Sequence, residues 1–88
     1  MSNQSIEVRL FAGAAAVAQR DHLIVPWNSQ GQTNPTAAEL MESIGNVCTP
    51  LADWIASCRL AVDGQFVLAT TPIPLDAEVA LIPPVSGG

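Results

Sequence analysis

The residues with the most suggestive chemistry are two glycines, Gly87 and Gly88, which follow a proline pair at the end of the sequence. Because glycine has no Cβ, a Gly-Gly end can enter a channel that is too narrow for other residues. Pro83 and Pro84 should end the preceding strand, since proline donates no ladder hydrogen bond. The group that the sequence singles out for chemistry is therefore the α-carboxylate of Gly88. A carboxylate is a poor electrophile, so another protein must activate it.

The six residues 83–88 could reach about 20 Å from the fold when fully extended. A frayed end is the plain alternative for a terminal Gly-Gly pair. The stiff Pro-Pro spacer favours a tail presented for insertion, because a rigid segment loses less entropy when it is bound. We expect a folded body of residues 1–82 and an extended tail of residues 83–88, with Val85 and Ser86 lining the channel that receives it.

Residues 78–88 resemble the C-terminus of the small subunit of molybdopterin synthase, which belongs to the ubiquitin-like sulfur carriers. Residues 8–12 are similar to the first strand of that family, with its Phe-Ala pair, and residues 60–64 are similar to its internal hairpin. The resemblance implies that Gly88 becomes a thiocarboxylate. It further implies that the sulfur passes to the pyranopterin precursor during biosynthesis of the molybdenum cofactor.

The resemblance also implies two protein partners: the large subunit of molybdopterin synthase and an adenylating enzyme of the ubiquitin-activating type. That enzyme would use ATP, while the chain itself would bind no cofactor. The chain would be the sulfur-donating subunit of a hetero-oligomer and not an enzyme on its own. We expect an apolar face that includes Phe11 or Phe66 to dock on the partners.

Three other functions share some of these features. A carrier for thiamine or cysteine synthesis would use the same Gly-Gly chemistry, although the Pro-Pro-Val-Ser segment favours molybdopterin. A protein modifier would join Gly88 to lysines of its targets. A plain binding module would leave the tail without a role.

Composition excludes some kinds of partner. The chain has 88 residues, of which 49% are hydrophobic and 12% are charged, so a single small domain is expected. A net charge of −5, with only three basic residues, argues against binding to nucleic acid or to an anionic membrane. No apolar run is long enough to cross a membrane, and the first residues do not resemble an export signal. We therefore expect a cytoplasmic protein.

Side chains that could form a catalytic or metal site are scarce. His22 is the single histidine and is interpreted as a surface or strand-edge residue without clustered ligands. Cys48 and Cys58 are too far apart in sequence for a Cys-x-x-Cys site, so free thiols and no metal are expected. Glu39 and Glu42 are assigned to a solvated helix surface.

The first half of the sequence predicts two strands followed by a polar loop. Residues 6–10 alternate between apolar and polar, which predicts a half-buried strand that Phe11 continues. A turn or short helix is expected at residues 13–18. Residues 22–27 predict a second strand, which Pro26 would either confine to a sheet edge or end. The loop of residues 28–35 fits either a mobile flap or an insertion, and we favour the insertion.

Helix signals follow. Thr36 and Glu39 form a predicted capping box, and Gly45 is a predicted helix stop. Thr49 is the predicted cap of a second, short helix, with Pro50 in its first turn.

The remaining chain predicts strands again. Asp63-Gly64-Gln65 predicts a hairpin between two apolar runs. The last strand, residues 78–82, is nearly continuous in hydrophobicity and is expected at the sheet centre.

This order of elements predicts an α+β fold: a mixed sheet of about five strands, with one main helix and one short helix on one face. Parallel pairing of the first and last strands makes it a ubiquitin-like β-grasp fold, which the resemblance also implies. The predicted core residues are Phe11, Leu40, Ile44, Leu51, Trp54, Leu60, Val62 and Leu81.

Overall fold

The computed structural model describes residues 3–28, 34–74 and 76–83, with only the backbone described at residues 3, 4 and 28. In this part of the chain there are five strands: β1 (Asn3–Leu10), β2 (His22–Asn28), β3 (Arg59–Val62), β4 (Gln65–Phe66) and β5 (Val79–Ile82). The α-helices are α1 (Ala12–Ala18), α2 (Ala37–Val47) and α3 (Thr49–Ala52), and a 3-10 turn follows at Ile55–Ser57. Mixed α+β architecture is thereby confirmed.

The five strands form one sheet in the order β2-β1-β5-β3-β4. Strand β5 lies at the centre, parallel to β1 and antiparallel to β3. Leu81 of β5 is opposite Leu10 of β1 and Leu60 of β3. The predicted central position of the last strand is therefore confirmed. Strand β2 lies at an edge, where Pro26 can be accommodated because the outer side of an edge strand has no ladder partner.

Alternating residues give the sheet two different faces. The packed face carries buried aliphatic side chains: Ile6, Val8, Leu10, Leu23, Val25, Leu60, Val79 and Leu81. Buried residues of all three helices join the same cluster, namely Ala14, Ala37, Leu40, Ile44 and Leu51. The open face carries the opposite set: Glu7, Arg9, His22, Ile24, Arg59, Ala61, Phe66, Ala80 and Ile82. The helices thus cover one face only, as predicted.

Five of the eight predicted core residues are fully buried: Leu40, Ile44, Leu51, Leu60 and Leu81. The prediction was wrong for Phe11, which is 44% exposed, and for Trp54, which is 37% exposed. Phe11 follows Leu10 and alternation therefore directs it to the open face. Trp54 lies across Gly13, where an added Cβ would come within 2.9 Å of the indole ring. Val62 is half-buried near the hairpin.

The capping box of α2 is confirmed. The Thr36 amide donates to Glu39 Oε1 at 2.9 Å, and the Glu39 amide donates to Thr36 Oγ1 at 3.2 Å. The predicted stop at Gly45 was wrong, since α2 continues to Val47. Gly45 is buried within α2 and faces α3, where an added Cβ would lie 3.5 Å from Ala52 Cα, an ordinary packing distance.

The second helix is confirmed with a shifted start, because Cys48 is its N-cap residue and not Thr49. The cysteine side chain makes no capping hydrogen bond. Pro50 lies in the first turn, as predicted.

The predicted hairpin is confirmed, with a shorter turn. Asp63 has φ of 51° and Gly64 has φ of 85°, so both turn residues are left-handed, as a two-residue type I′ turn requires. Gln65 pairs with Val62 and belongs to β4. Asp63 Oδ1 accepts a 3.1 Å hydrogen bond from the Glu78 amide, which ties the turn to the start of β5.

The predicted loop of residues 28–35 is described only at its ends. Asn28 belongs to β2, and residues 29–33 lie outside the described residues. Pro35 is buried, and its carbonyl accepts a 2.7 Å hydrogen bond from the Ile73 amide. The interpretation of this loop as an insertion stays a prediction.

Candidate functional site

The candidate site begins where β5 leaves the sheet. Ile82, the last residue of β5, is opposite Arg59 of β3, and Pro83 follows without secondary structure and half-buried. The base of the tail is therefore held by a strand with a neighbour on each side. Residues 84–88 lie outside the described residues. The roles assigned to Pro84, Val85, Ser86, Gly87 and Gly88 stay predictions.

A shallow groove runs over the open face beside this exit. Its lining residues are Arg9, Phe11, Ala61, Gly64, Phe66, Glu78, Ala80 and Ile82. The small side chains of Ala61 and Ala80 are opposite each other in the middle of the sheet. Phe11 and Phe66 are 44% and 55% exposed. Both residues predicted to dock on a partner are thus placed at one exposed apolar groove, next to the start of the tail.

Each phenylalanine is covered by an arginine. Arg59 Cζ lies 4.3 Å from the centre of the Phe66 ring, and Arg9 Cζ lies 5.9 Å from the centre of the Phe11 ring. Both distances are within the range of cation–π attraction. Arg9 also approaches Glu78, with Nη1 at 3.4 Å from Oε2. Both side chains are exposed and the distance between their charged groups is long, so this ion pair contributes little to stability.

The opposite end of the open face is acidic. A second groove there is lined by Glu7, Arg9, Asp21, His22, Asp76, Ala77 and Glu78. His22 Nδ1 donates to Asp21 Oδ1 at 2.9 Å. This hydrogen bond, together with the charge of His22, lowers the pKa of the Asp21 carboxyl. His22 is an exposed edge residue, as predicted, but the prediction missed its acidic neighbour.

Side chains that could hold a metal ion do not gather in the described part of the chain, where no group of three potential ligands is found. Both cysteines are free thiols, and Cys58 is buried while Cys48 is half-buried. Burial raises the pKa of the Cys58 thiol. Glu39 is engaged in the helix cap of α2, which accounts for its position.

Sequence reasoning missed Arg9, Arg59 and Ile82 as members of this site. The alternation along β1 and β5 does assign Arg9 and Ile82 to the outward side. The alternation does not reveal the strand order, and it is this order that brings residues from β1, β5, β3 and β4 together on one surface.

Over the described ranges, none of the helices has both the length and the apolar character that a membrane crossing demands.

Comparison with known proteins identifies the family. The model of the ThiS family matches residues 8–88. No curated protein matches the sequence at a significant level. The chain is similar in structure to SAMP1 from Haloferax volcanii, with a TM-score of 0.78 and 23% identity over 96% of this chain and 99% of that one.

Two further structures carry names related to molybdopterin. A putative molybdopterin converting factor subunit 1 from Pyrococcus furiosus has a TM-score of 0.72 and 21% identity, covering 93% of this chain and 99% of that one. A complex of subunits 1 and 2 of the molybdopterin-converting factor from Helicobacter pylori has a TM-score of 0.62 and 23% identity, covering 97% and 100%. At these identities the likeness establishes the fold. Since the family match spans residues 8–88, the chain, with its ubiquitin-like β-grasp sheet, belongs to the ThiS family of ubiquitin-like sulfur carriers.

Proposed function

We propose that the chain carries sulfur as a thiocarboxylate on Gly88 and delivers it as the small subunit of molybdopterin synthase. The observation that carries this proposal is the placement of the tail exit. Strand β5 pairs with β1 and β3 and ends beside an exposed apolar groove. A firmly held base and an adjacent docking surface are what a protein needs to insert a tail into a partner.

The chemistry starts with activation. An adenylating enzyme of the ubiquitin-activating type holds ATP, and a carboxylate oxygen of Gly88 attacks its α-phosphorus, releasing pyrophosphate and forming an acyl adenylate. A sulfur donor then displaces AMP and leaves the thiocarboxylate. ATP belongs to that enzyme, so the chain needs no cofactor of its own.

Delivery follows in the large subunit. The tail enters its active site and gives the sulfur to the pyranopterin precursor, and an oxygen from water takes its place on Gly88. Two such deliveries complete the dithiolene. Gly87 lets the backbone approach closely, Pro83 and Pro84 direct the exit, and residues 85–86 line the channel.

Support for this pathway over other sulfur pathways comes from two sources. The Pro-Pro-Val-Ser segment before Gly87 resembles that of molybdopterin synthase small subunits. In addition, the similar structures from Pyrococcus furiosus and Helicobacter pylori are named as molybdopterin converting factors.

A modifier function is the second candidate, because similar solved structures include small archaeal modifier protein 1. Activation would be the same, but the Gly88 carbonyl would then be joined to a lysine of a target protein. The chain contains three basic residues, Arg9, Arg20 and Arg59, and therefore no lysine. It could not be extended into chains through its own side chains.

The test removes Gly88 from the otherwise complete chain. We expect molybdopterin formation to be lost in cells and with the purified large subunit, because the carboxylate would then be on the wrong residue. Intact mass of the wild-type protein from cells that make the cofactor should show one oxygen replaced by sulfur. The unfolding midpoint should not change, since the deletion lies beyond β5.

Two further variants sharpen this test. Removal of residues 1 and 2, at the other end of the chain, should leave sulfur transfer intact. Gly87→Val should block transfer by steric exclusion from the channel. Molybdopterin formation by the protein without Gly88 would refute the carrier function. Conjugates of high mass that disappear without Gly88, together with an unsulfurated carboxylate, would establish the modifier instead.

A further inference from the structure

The exposed arginines on the open face have no role in the proposed carrier chemistry. We propose that Arg59 is a carboxylate-binding residue, and that the adenylating enzyme docks on the open face by placing an acidic side chain against it. An apolar side chain of the enzyme would lie beside this contact, over Ala61 and Ala80. The inference rests on the proposed function in requiring an adenylating partner, but not on the identity of the later sulfur acceptor.

The position of the Arg59 side chain favours the binding of an anion. Its Cζ lies only 4.3 Å from the centre of the Phe66 ring, so the guanidinium covers one side of that ring. A guanidinium that rests on an aromatic ring keeps the N–H donors at its edge available, and these match the two oxygens of a carboxylate. Because the ring already restricts the side chain, less conformational entropy remains to be lost on binding.

Arg59 has no competing acidic partner in residues 3–28, 34–74 and 76–83, where the ion pairs are those of Arg9 and His22. Arg9 differs, since Glu78 lies 3.4 Å away and offsets its charge. The chain has a net charge of −5, yet among the described residues no carboxylate forms an ion pair with this stacked arginine. The Arg59 guanidinium can therefore pair with a carboxylate that a partner protein provides.

The length of the tail decides where the anion comes from. Arg59 is opposite Ile82, at the point where the tail begins. Six residues separate this point from the reacting group of Gly88, or about 20 Å when the tail is extended into an active site. The phosphates of ATP and of the acyl adenylate are therefore far from Arg59, and the anion that meets it belongs to the docked protein surface.

The distribution of charge also sets the orientation of the partner. The end of the open face near the tail exit carries Arg59 with Phe66, and the far end carries Glu7, Asp21 and Asp76, while Glu78 lines both grooves. An acidic side chain of the partner is attracted at the first end and repelled at the second. Docking in the reverse direction would therefore be disfavoured, and the tail would point into the partner in the favoured one.

The experiment measures pyrophosphate exchange by the adenylating enzyme of the same organism, with the complete chain as the varied substrate. Arg59→Glu should raise the KM for the chain on the order of tenfold or more, because a favourable contact becomes a repulsive one. The kcat should change little, since Arg59 is remote from Gly88. The KM of the wild-type chain should rise with ionic strength, and that of Arg59→Glu should rise less.

Arg20 offers the matched control. It is exposed in the turn after α1 and lines neither groove of the open face, so Arg20→Glu makes the same charge change elsewhere. The KM of Arg20→Glu should equal that of the wild type. Arg59→Lys should be intermediate, because it keeps the charge but loses the planar fork.

The outcomes separate the two proposals. A wild-type KM for Arg59→Glu, or a loss confined to kcat, overturns the docking role of Arg59 and leaves the carrier function standing. Failure of the enzyme to adenylate the wild-type chain overturns the carrier function and with it this inference. If Arg59→Glu does not fold, Arg59→Gln provides the same comparison without introducing a negative charge.

Discussion

The two faces of the sheet are built from the same strands but carry different chemistry. On β5, Val79 and Leu81 are fully buried against the helices, whereas Ala80 and Ile82 lie half-buried on the open face. The packed face is aliphatic, and the open face combines small, aromatic and charged side chains. Because neighbouring residues of a strand point in opposite directions, stability and recognition are encoded in alternate positions of one segment. A substitution can therefore damage one property and leave the other.

The largest expected effect comes from the neighbours Leu81 and Ile82. Leu81→Ala should lower the free energy of unfolding by about 2–5 kcal/mol, because it leaves a cavity between β5 and the helices. Ile82→Ala should cost only about 1 kcal/mol, because its side chain is already partly solvated. Urea unfolding followed by Trp fluorescence measures both values.

Docking on the adenylating enzyme should be weakened more by the substitution at Ile82 than by the substitution at Leu81. Ile82 lines the groove beside the tail exit, so Ile82→Ala should weaken docking on the adenylating enzyme. Leu81→Ala, assayed below its unfolding transition, should dock almost normally. Equal losses of stability in the two variants would break the distinction between the faces.

A smaller effect is expected in the helical layer over the packed face. Thr36→Ala removes the capping hydrogen bond to the Glu39 amide and should cost about 1 kcal/mol. Thr49→Ala serves as the control, since Cys48 and not Thr49 is the N-cap residue of α3. Thermal denaturation of both proteins should show a lower midpoint only for Thr36→Ala. A comparable fall in the midpoint of Thr49→Ala would mean that Thr49 caps α3, as predicted from the sequence.

The smallest effect concerns acid stability. In the described part of the chain no charged side chain is buried, so sensitivity to acid should come from exposed carboxylates such as Asp21. His22 lowers the pKa of Asp21 in the folded protein. A carboxyl of this kind stabilises the fold above its unfolded pKa, and the contribution disappears as the pH falls through its folded pKa.

Asp21→Asn should therefore flatten the dependence of unfolding free energy on pH between about pH 5 and pH 2. The change should be slight, because solvent screens an exposed pair. His22→Gln should produce the same flattening. An unchanged acid limb in both variants would mean that the pair contributes nothing to stability.

Local patterns in the sequence predicted most of the elements. The capping box at Thr36, the Asp63-Gly64 turn and the apolar run of β5 were all recognised from short-range chemistry. The helix stop at Gly45 was predicted wrongly because glycine ends helices only when the backbone turns left-handed there. Among the described glycines the one with a positive φ is Gly64, whereas Gly45 lies inside α2.

The candidate site was predictable only in part. Phe11 and Phe66 were expected to dock on a partner, and both are exposed at one groove. Phe11 was also expected in the core, which is wrong. An aromatic residue has a strong tendency to be buried, and composition alone does not reveal that the helices cover only one side of the sheet.

By itself, the sequence determined the order of the elements, the alternation within strands and the Gly-Gly tail, because each depends on residues close together in the chain. Only the tertiary structure decided that β5 lies between β1 and β3, and that Arg59 rests on Phe66 beside the tail exit. Those arrangements depend on hydrogen bonds and packing between distant segments. Their energies favour one pairing of strands out of many that the local pattern permits.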